Sequence, residues 1–202
     1  MKLVLRQKSL KRILRWTQGV LLAGAVSMLG YCGFVLMDAW VFQNGERRQL
    51  ERLLTDQQMA PVTSRKNPPP PSASGLIGRM EIPRLGLSVI VIEGTNGATL
   101  RRAAGHIRGT ALPGQSGNVG ISGHRDTFFR PLRNIQRDDI ITLTTLLGGY
   151  RYRVVSIKIV GPDDVEVLNP GVDETLTLVT CYPFYFVGPA PERFIVRAER
   201  VT

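Results

Sequence analysis

From Trp16 to Met37 the chain carries no charged residue, and Val, Leu, Ala, Gly and Met dominate it. A helix over this stretch would be about 33 Å long, close to the ~30 Å hydrocarbon core of a bilayer. The pattern predicts a single transmembrane helix over 16–37. Between Ala39 and Gln58, polar and charged positions surround Leu50, Leu53 and Leu54, which predicts a short amphipathic helical stalk weakened at Gly45. Ala60-Pro61 and the run Asn67-Pro68-Pro69-Pro70-Pro71-Ser72-Ala73-Ser74-Gly75 then predict an extended polyproline spacer.

Beyond Leu76 the rhythm changes to short apolar segments separated by turn residues. Leu76 to Ile82, Leu87 to Ile92, Gly117 to Ser122, Asp139 to Thr145, Tyr150 to Val160, Thr175 to Cys181 and Phe194 to Glu199 read as strands, with frequent β-branched residues. Gly148-Gly149 is expected at a hairpin turn. Only Thr99 to Ala104 and Thr127 to Asn134 look briefly helical. The fold class is therefore all-β, a barrel or sandwich. The chain divides into a basic tail (1–15), an anchor (16–37), a stalk and Pro-rich spacer (38–75) and one folded domain (76–202).

The net charge of +10 invites a nucleic-acid reading, which its distribution argues against. Lys2, Arg6, Lys8, Lys11, Arg12 and Arg15 all precede the first acidic residue, Asp38, whereas the signs are nearly balanced after Leu76. The basic flank puts the tail in the cytoplasm and everything after Met37 outside, with Trp16 and Trp40 as interfacial aromatics. No small-x-small site follows Met37, so a cleaved signal peptide is disfavoured. Tyr31 before Cys32 is too bulky for a lipoprotein box. Two cysteines, Cys32 and Cys181, form no CxxC pair, which excludes a zinc or redox motif; no metal or other cofactor is expected.

Cys181 ends the apolar strand beginning at Glu174 and is followed by Tyr182-Pro183, which cannot continue a central strand. A thiol at a strand end is held rigidly and is open to substrate. A buried structural cysteine is the commoner fate of this residue type. Of the two histidines, His124 lies just past a strand end and His106 ahead of a Pro-Gly turn, so His124 is the preferred partner. Arg193 begins the last strand. If that strand pairs with the one carrying Cys181, its guanidinium suits a developing oxyanion; otherwise it is an ordinary sheet-edge arginine.

Thr177-Leu178-Val179-Thr180-Cys181 resembles the TLxTC signature of the sortases, with an arginine on the next strand and a histidine on an earlier one. Asn118 through Phe129 (NVGISGHRDTFF) and Leu176 through Ala198 are most similar to class D sortases. The resemblance implies a closed β-barrel of about eight strands with one or two short helices. It also implies a Cys-His-Arg site made of Cys181, His124 and Arg193, and gives His106 no catalytic role. In that family the thiolate attacks a carbonyl in the C-terminal sorting signal of a secreted protein, and an amine-bearing envelope acceptor resolves the thioester. Thr180, beside the nucleophile, is expected to touch substrate. Asp126 could orient the imidazole as a triad member or simply shape a turn. Tyr182, Phe184, Tyr185 and Phe186 could line a peptide groove or plug the barrel end.

Two other functions fit the same residues. A membrane-tethered cysteine protease would use water as acceptor, and a non-enzymatic β-barrel binding module would keep Cys181 as a structural thiol. An L,D-transpeptidase would carry an arginine soon after its cysteine, where this chain has Tyr182-Pro183.

Overall fold

Buried and half-exposed positions alternate from Leu76 to Ile82, and in the computed structural model this stretch is the first strand, β1. The structure describes residues 2–59, 75–186 and 188–201; the Pro-rich spacer expected at Asn67 to Gly75 lies, Gly75 apart, outside them. The remaining strands are β2 (Leu87–Glu93), β3 (Ala104–His106), β4 (Gly117–Ser122), β5 (Ile140–Thr145), β6 (Gly148–Val160), β7 (Glu174–Tyr182) and β8 (Glu192–Val201). A short helix, α2 (Gly97–Arg102), precedes β3, and 3-10 turns lie at Pro83–Leu85, Arg130–Asn134 and Val165–Leu168.

Among the described residues these strands close into one barrel in the order β1-β2-β3-β4-β7-β8-β6-β5. β1 pairs antiparallel with both β2 and β5, so no strand edge is left open. β2–β3 and β4–β7 are the parallel pairs. Met80, Ile82, Val91, Ile121, Leu143, Tyr152, Leu176, Leu178 and Val196 fill the interior. The expectation of a closed eight-stranded barrel holds.

Two local expectations change. The hairpin turn between β5 and β6 falls on Leu146-Leu147, and Gly148-Gly149 are already the first residues of β6. The three-residue strand β3 replaces what looked like a helix end followed by a loop. Gly105 is required there, because a Cβ would stand 2.3 Å from the Gly94 carbonyl oxygen.

Helix α1 runs Lys2–Met59 and belongs to two compact units, Met1–Val41 and Phe42–Thr202. In the first, the large apolar side chains such as Leu21, Leu29 and Phe34 are exposed, and the helix is long and apolar enough to cross a membrane.

In the second unit the stretch from Phe42 to Met59 packs on the outside of the barrel, so the expected stalk is part of the folded body. Leu50 is 1% exposed and clusters with Leu76, Ile90, Ile92 and Ala103, flanked by Phe42 and Leu54. The Gln43 amide donates to the Arg102 carbonyl (2.6 Å) and accepts from the Ile90 N–H (2.9 Å), where β3 does not reach. These contacts offset the roughly 0.5–1 kcal/mol that Gly45 costs a helix interior. They also explain why Val89-Ile90-Val91-Ile92 is apolar without alternation: odd positions face the barrel interior and even ones face the helix.

Candidate active site

β7 carries Leu176 and Leu178 into the core, so the intervening Thr177, Val179 and Cys181 belong to its other face. On β8 Val196 and Ala198 are core residues, and Arg193, Ile195 and Arg197 share the opposite face. The antiparallel register sets Thr177 against Arg197, Val179 against Ile195 and Cys181 against Arg193. Directly opposed residues have Cβ atoms about 4.5–5.5 Å apart. Cys181 is half-buried with a free thiol, and Arg193 is half-buried as well. The Arg193 Nη1 donates to the carbonyls of Ala190 (3.2 Å) and Glu192 (3.0 Å), which holds the guanidinium at the root of the β7–β8 loop.

β4 runs parallel to β7, and its last rung is Ser122 against Val179. Continuing both chains by two residues brings His124 level with Cys181. Two bonds keep the chains together past the rung: Gly123 N–H donates to the Val179 carbonyl (3.2 Å), and the Thr180 hydroxyl donates to the Gly123 carbonyl (2.7 Å). A Cβ on Gly123 would lie 2.8 Å from the Phe129 ring, so only glycine lets this buried phenyl close beneath the loop. Phe129 N–H in turn donates to the His124 carbonyl (3.1 Å). His124 is thus carried on a stitched loop with its side chain half-buried.

Three expectations need correction or division. Thr180, read as a substrate contact, is 2% exposed with its hydroxyl engaged by Gly123. It sits on the inward face of β7 and ties the His124 segment in place. Asp126 is exposed and, among the described residues, has no hydrogen-bond or ion-pair partner, so it does not orient His124 here. The aromatic loop divides between its two readings. Tyr182 stacks on Phe194 and Phe184 packs edge-on to both, closing the barrel end, whereas Tyr185 (76% exposed) and Phe186 face solvent.

His106 stands apart on β3. Its Nδ1 meets the Glu93 carboxylate (2.8 Å), and its Nε2 meets the Ala111 carbonyl (2.9 Å) and the Thr110 hydroxyl (3.1 Å). Both ring nitrogens of this buried side chain are therefore engaged in structure.

Arg125 has a role that the sequence did not reveal. Its Nη2 donates to the carbonyls of Phe186 (2.8 Å) and Gly188 (2.9 Å), with the guanidinium 5.9 Å from the Phe186 ring centroid. Arg133 makes a second strap, donating to the Tyr185 hydroxyl (2.8 Å). Together they tie the β7–β8 loop to the loop that carries His124. Arg125 adjoins His124 in the sequence, yet nothing in linear order points to carbonyls some sixty residues away.

Residues 80–201 match the family model described as Sortase domain. The chain belongs to the sortase family, a family of cysteine transpeptidases. It is 32% identical over 195 residues to Sortase D of Bacillus subtilis (strain 168), covering 90% of this chain and 96% of that protein. The solved Sortase D5 transpeptidase of Clostridium perfringens matches with a TM-score of 0.66 at 28% identity, over 78% of this chain and 98% of that one. Sortase A of Listeria monocytogenes matches with a TM-score of 0.58 at 27% identity, over 63% and 88% of the two chains.

Proposed function

We propose that this chain is a membrane-anchored transpeptidase that cleaves the C-terminal sorting signal of secreted proteins and joins the new terminus to an envelope amine. The observation that supports it most is the pairing of Cys181 with Arg193 near the end of the β7–β8 ladder, with His124 two residues past the last β4–β7 rung, Ser122 against Val179. The Cys181 thiolate bonds to the carbonyl carbon of the scissile peptide. The Arg193 guanidinium stabilises the oxyanion that forms, in a half-buried site where such a donor counts for more than in water. As the C–N bond breaks, the His124 imidazolium protonates the departing amine and a thioester remains. The acceptor amine then attacks the thioester carbon, returns a proton to His124 and releases the thiolate. No cofactor enters this scheme.

The exposed apolar surface of α1 between Trp16 and Met37 supports the anchor, and the basic residues before it favour a cytoplasmic N-terminus.

The test is product analysis on sorting-signal peptides, with and without an added amine. Wild type should release the C-terminal fragment and form the amide, Cys32→Ala should match it, and Cys181→Ala should do neither. Hydrolysis unaffected by amine would identify a protease, and Cys181→Ala cleaving at the wild-type rate would end the proposal.

A further inference from the structure

The face of β7 and β8 that carries Cys181 and Arg193 runs back through Val179 and Ile195 to Thr177 and Arg197. The segment joining β6 to β7, residues 161–173, crosses over it. A cavity of about 310 Å³ lies between them, with Asp164, Glu166 and Val167 in its roof and Thr177, Ile195 and Arg197 among its floor residues.

The roof has little of its own to hold it. Val165 is exposed and Val172 is 89% exposed, so neither side chain anchors the segment in a core. Its internal backbone bonds are local turns, Asp164 to Gly161, Val165 to Asp163 and Asn169 to Glu166. A side chain from β4 joins its middle to the barrel. Asn118 is 1% exposed, and its Nδ2 donates to the Val167 carbonyl (3.0 Å), with the Asn169 carbonyl at 3.5 Å. The orientation of this amide is dictated from below. The Thr177 hydroxyl, fully buried on β7, donates to Asn118 Oδ1 (2.8 Å), which turns Nδ2 toward the roof.

We infer that Asn118, oriented by Thr177, is a positioning residue that sets the height of the 161–173 roof and so governs how tightly peptide is held on the cysteine-bearing face. It touches neither Cys181 nor Arg193 and takes no part in bond making. The inference rests on the transpeptidase reading for its substrate. The tie itself can be measured without one.

Asn118→Asp keeps the side-chain shape but turns a carboxylate oxygen toward the Val167 carbonyl. Thr177→Val removes the orienting hydroxyl at nearly constant volume and serves where a buried aspartate impairs folding. Thr177→Ser retains the hydroxyl and is the conservative control. In the full chain, Asn118→Asp and Thr177→Val should raise KM for a sorting-signal peptide about tenfold, equivalent to ~1.4 kcal/mol. Their kcat should stay within about twofold, as expected for lost ground-state binding. Hydrogen exchange should accelerate across 161–173 while β1 and β5 stay unchanged, and Thr177→Ser should stay near wild type on both measures. The double variant Asn118→Asp/Thr177→Val should be no worse than Asn118→Asp alone, because both act through one bond chain.

Unchanged exchange in 161–173 overturns the tie. Faster exchange with unchanged KM, or a fall in kcat alone, overturns the positioning role. If wild type processes no such peptide, the functional reading fails on its own, and exchange across 161–173 still decides the tie.

Discussion

Cys181 and Arg193 are direct partners across the antiparallel β7–β8 ladder, one rung short of its final pair, Tyr182 and Glu192. Their separation is therefore set by backbone hydrogen bonding and not by the loop between them. The guanidinium is also engaged by the carbonyls of Ala190 and Glu192. Arg193→Lys keeps the charge and loses the planar fork, so turnover should fall about 10²- to 10³-fold with KM much less affected. Steady-state kinetics on a sorting-signal peptide measures this, with circular dichroism to confirm folding. A folded Arg193→Ala enzyme that turns over like wild type would remove this residue from the chemistry.

The two histidines should separate by kind of damage. His124→Ala should lower kcat at least about a hundredfold, with little change in thermal stability. His106→Ala should do the reverse, since it strips partners from Glu93 and from the Ala111 carbonyl. Both acceptors are half-buried, so leaving them without the imidazole should cost about 1 kcal/mol, the low end for an unpaired group. Comparable losses of kcat per folded molecule in both variants would contradict the assignment.

Leu50 belongs to the folded body, so truncation should reveal it. Leu50→Ala should destabilise the domain by roughly 2–5 kcal/mol. A fragment starting at Leu76, with Ile90 and Ile92 uncovered, should unfold at lower denaturant than one starting at Phe42. Coincident unfolding curves for the two fragments would show that the helix adds nothing.

Acid should weaken the contact between Arg84 and Asp139. The Arg84 guanidinium hydrogen-bonds the Asp139 carboxyl, and together with the Gln136 N–H holds it below its ordinary value. A depressed carboxyl contributes stability that is present above its unfolded value near 3.9, and that contribution fades as pH falls through the lower folded value. Asp139→Asn should therefore be less stable than wild type at neutral pH, and the gap should close below about pH 4. Denaturant midpoints from pH 7 to pH 2 test this; a gap that stays constant rules the linkage out.

Strands bounded by turn residues were legible: β1 and β4 span the stretches expected of them. β3 was not, because Ala104-Gly105-His106 is too short for any periodicity and exists only through its neighbours. The β5–β6 turn misled because Leu146-Leu147 contains no turn-forming residue and the adjacent glycines drew the reading to themselves. Cys181, His124 and Arg193 stood out through their positions at strand ends. Thr180 was misassigned because its partner, the Gly123 carbonyl, is 57 residues away. The docking of α1 did leave a trace, the unbroken apolar run Val89-Ile90-Val91-Ile92, which only a second cover on β2 explains.

The segment from Pro183 to Pro191 is bracketed by the cysteine and the arginine and strapped from outside by Arg125 and Arg133. The ladder spaces its two ends, and Ala190 and Phe184 are committed to Arg193 and to the barrel end, so the exchangeable part of the segment is its exposed stretch at Tyr185 and Phe186. Doubling a flexible loop of this kind costs only about 0.6 kcal/mol. Evolution or an engineer can lengthen or recompose that stretch, provided one carbonyl remains within reach of Arg125 and another within reach of Arg193, and leave the Cys181–Arg193 rung where it is.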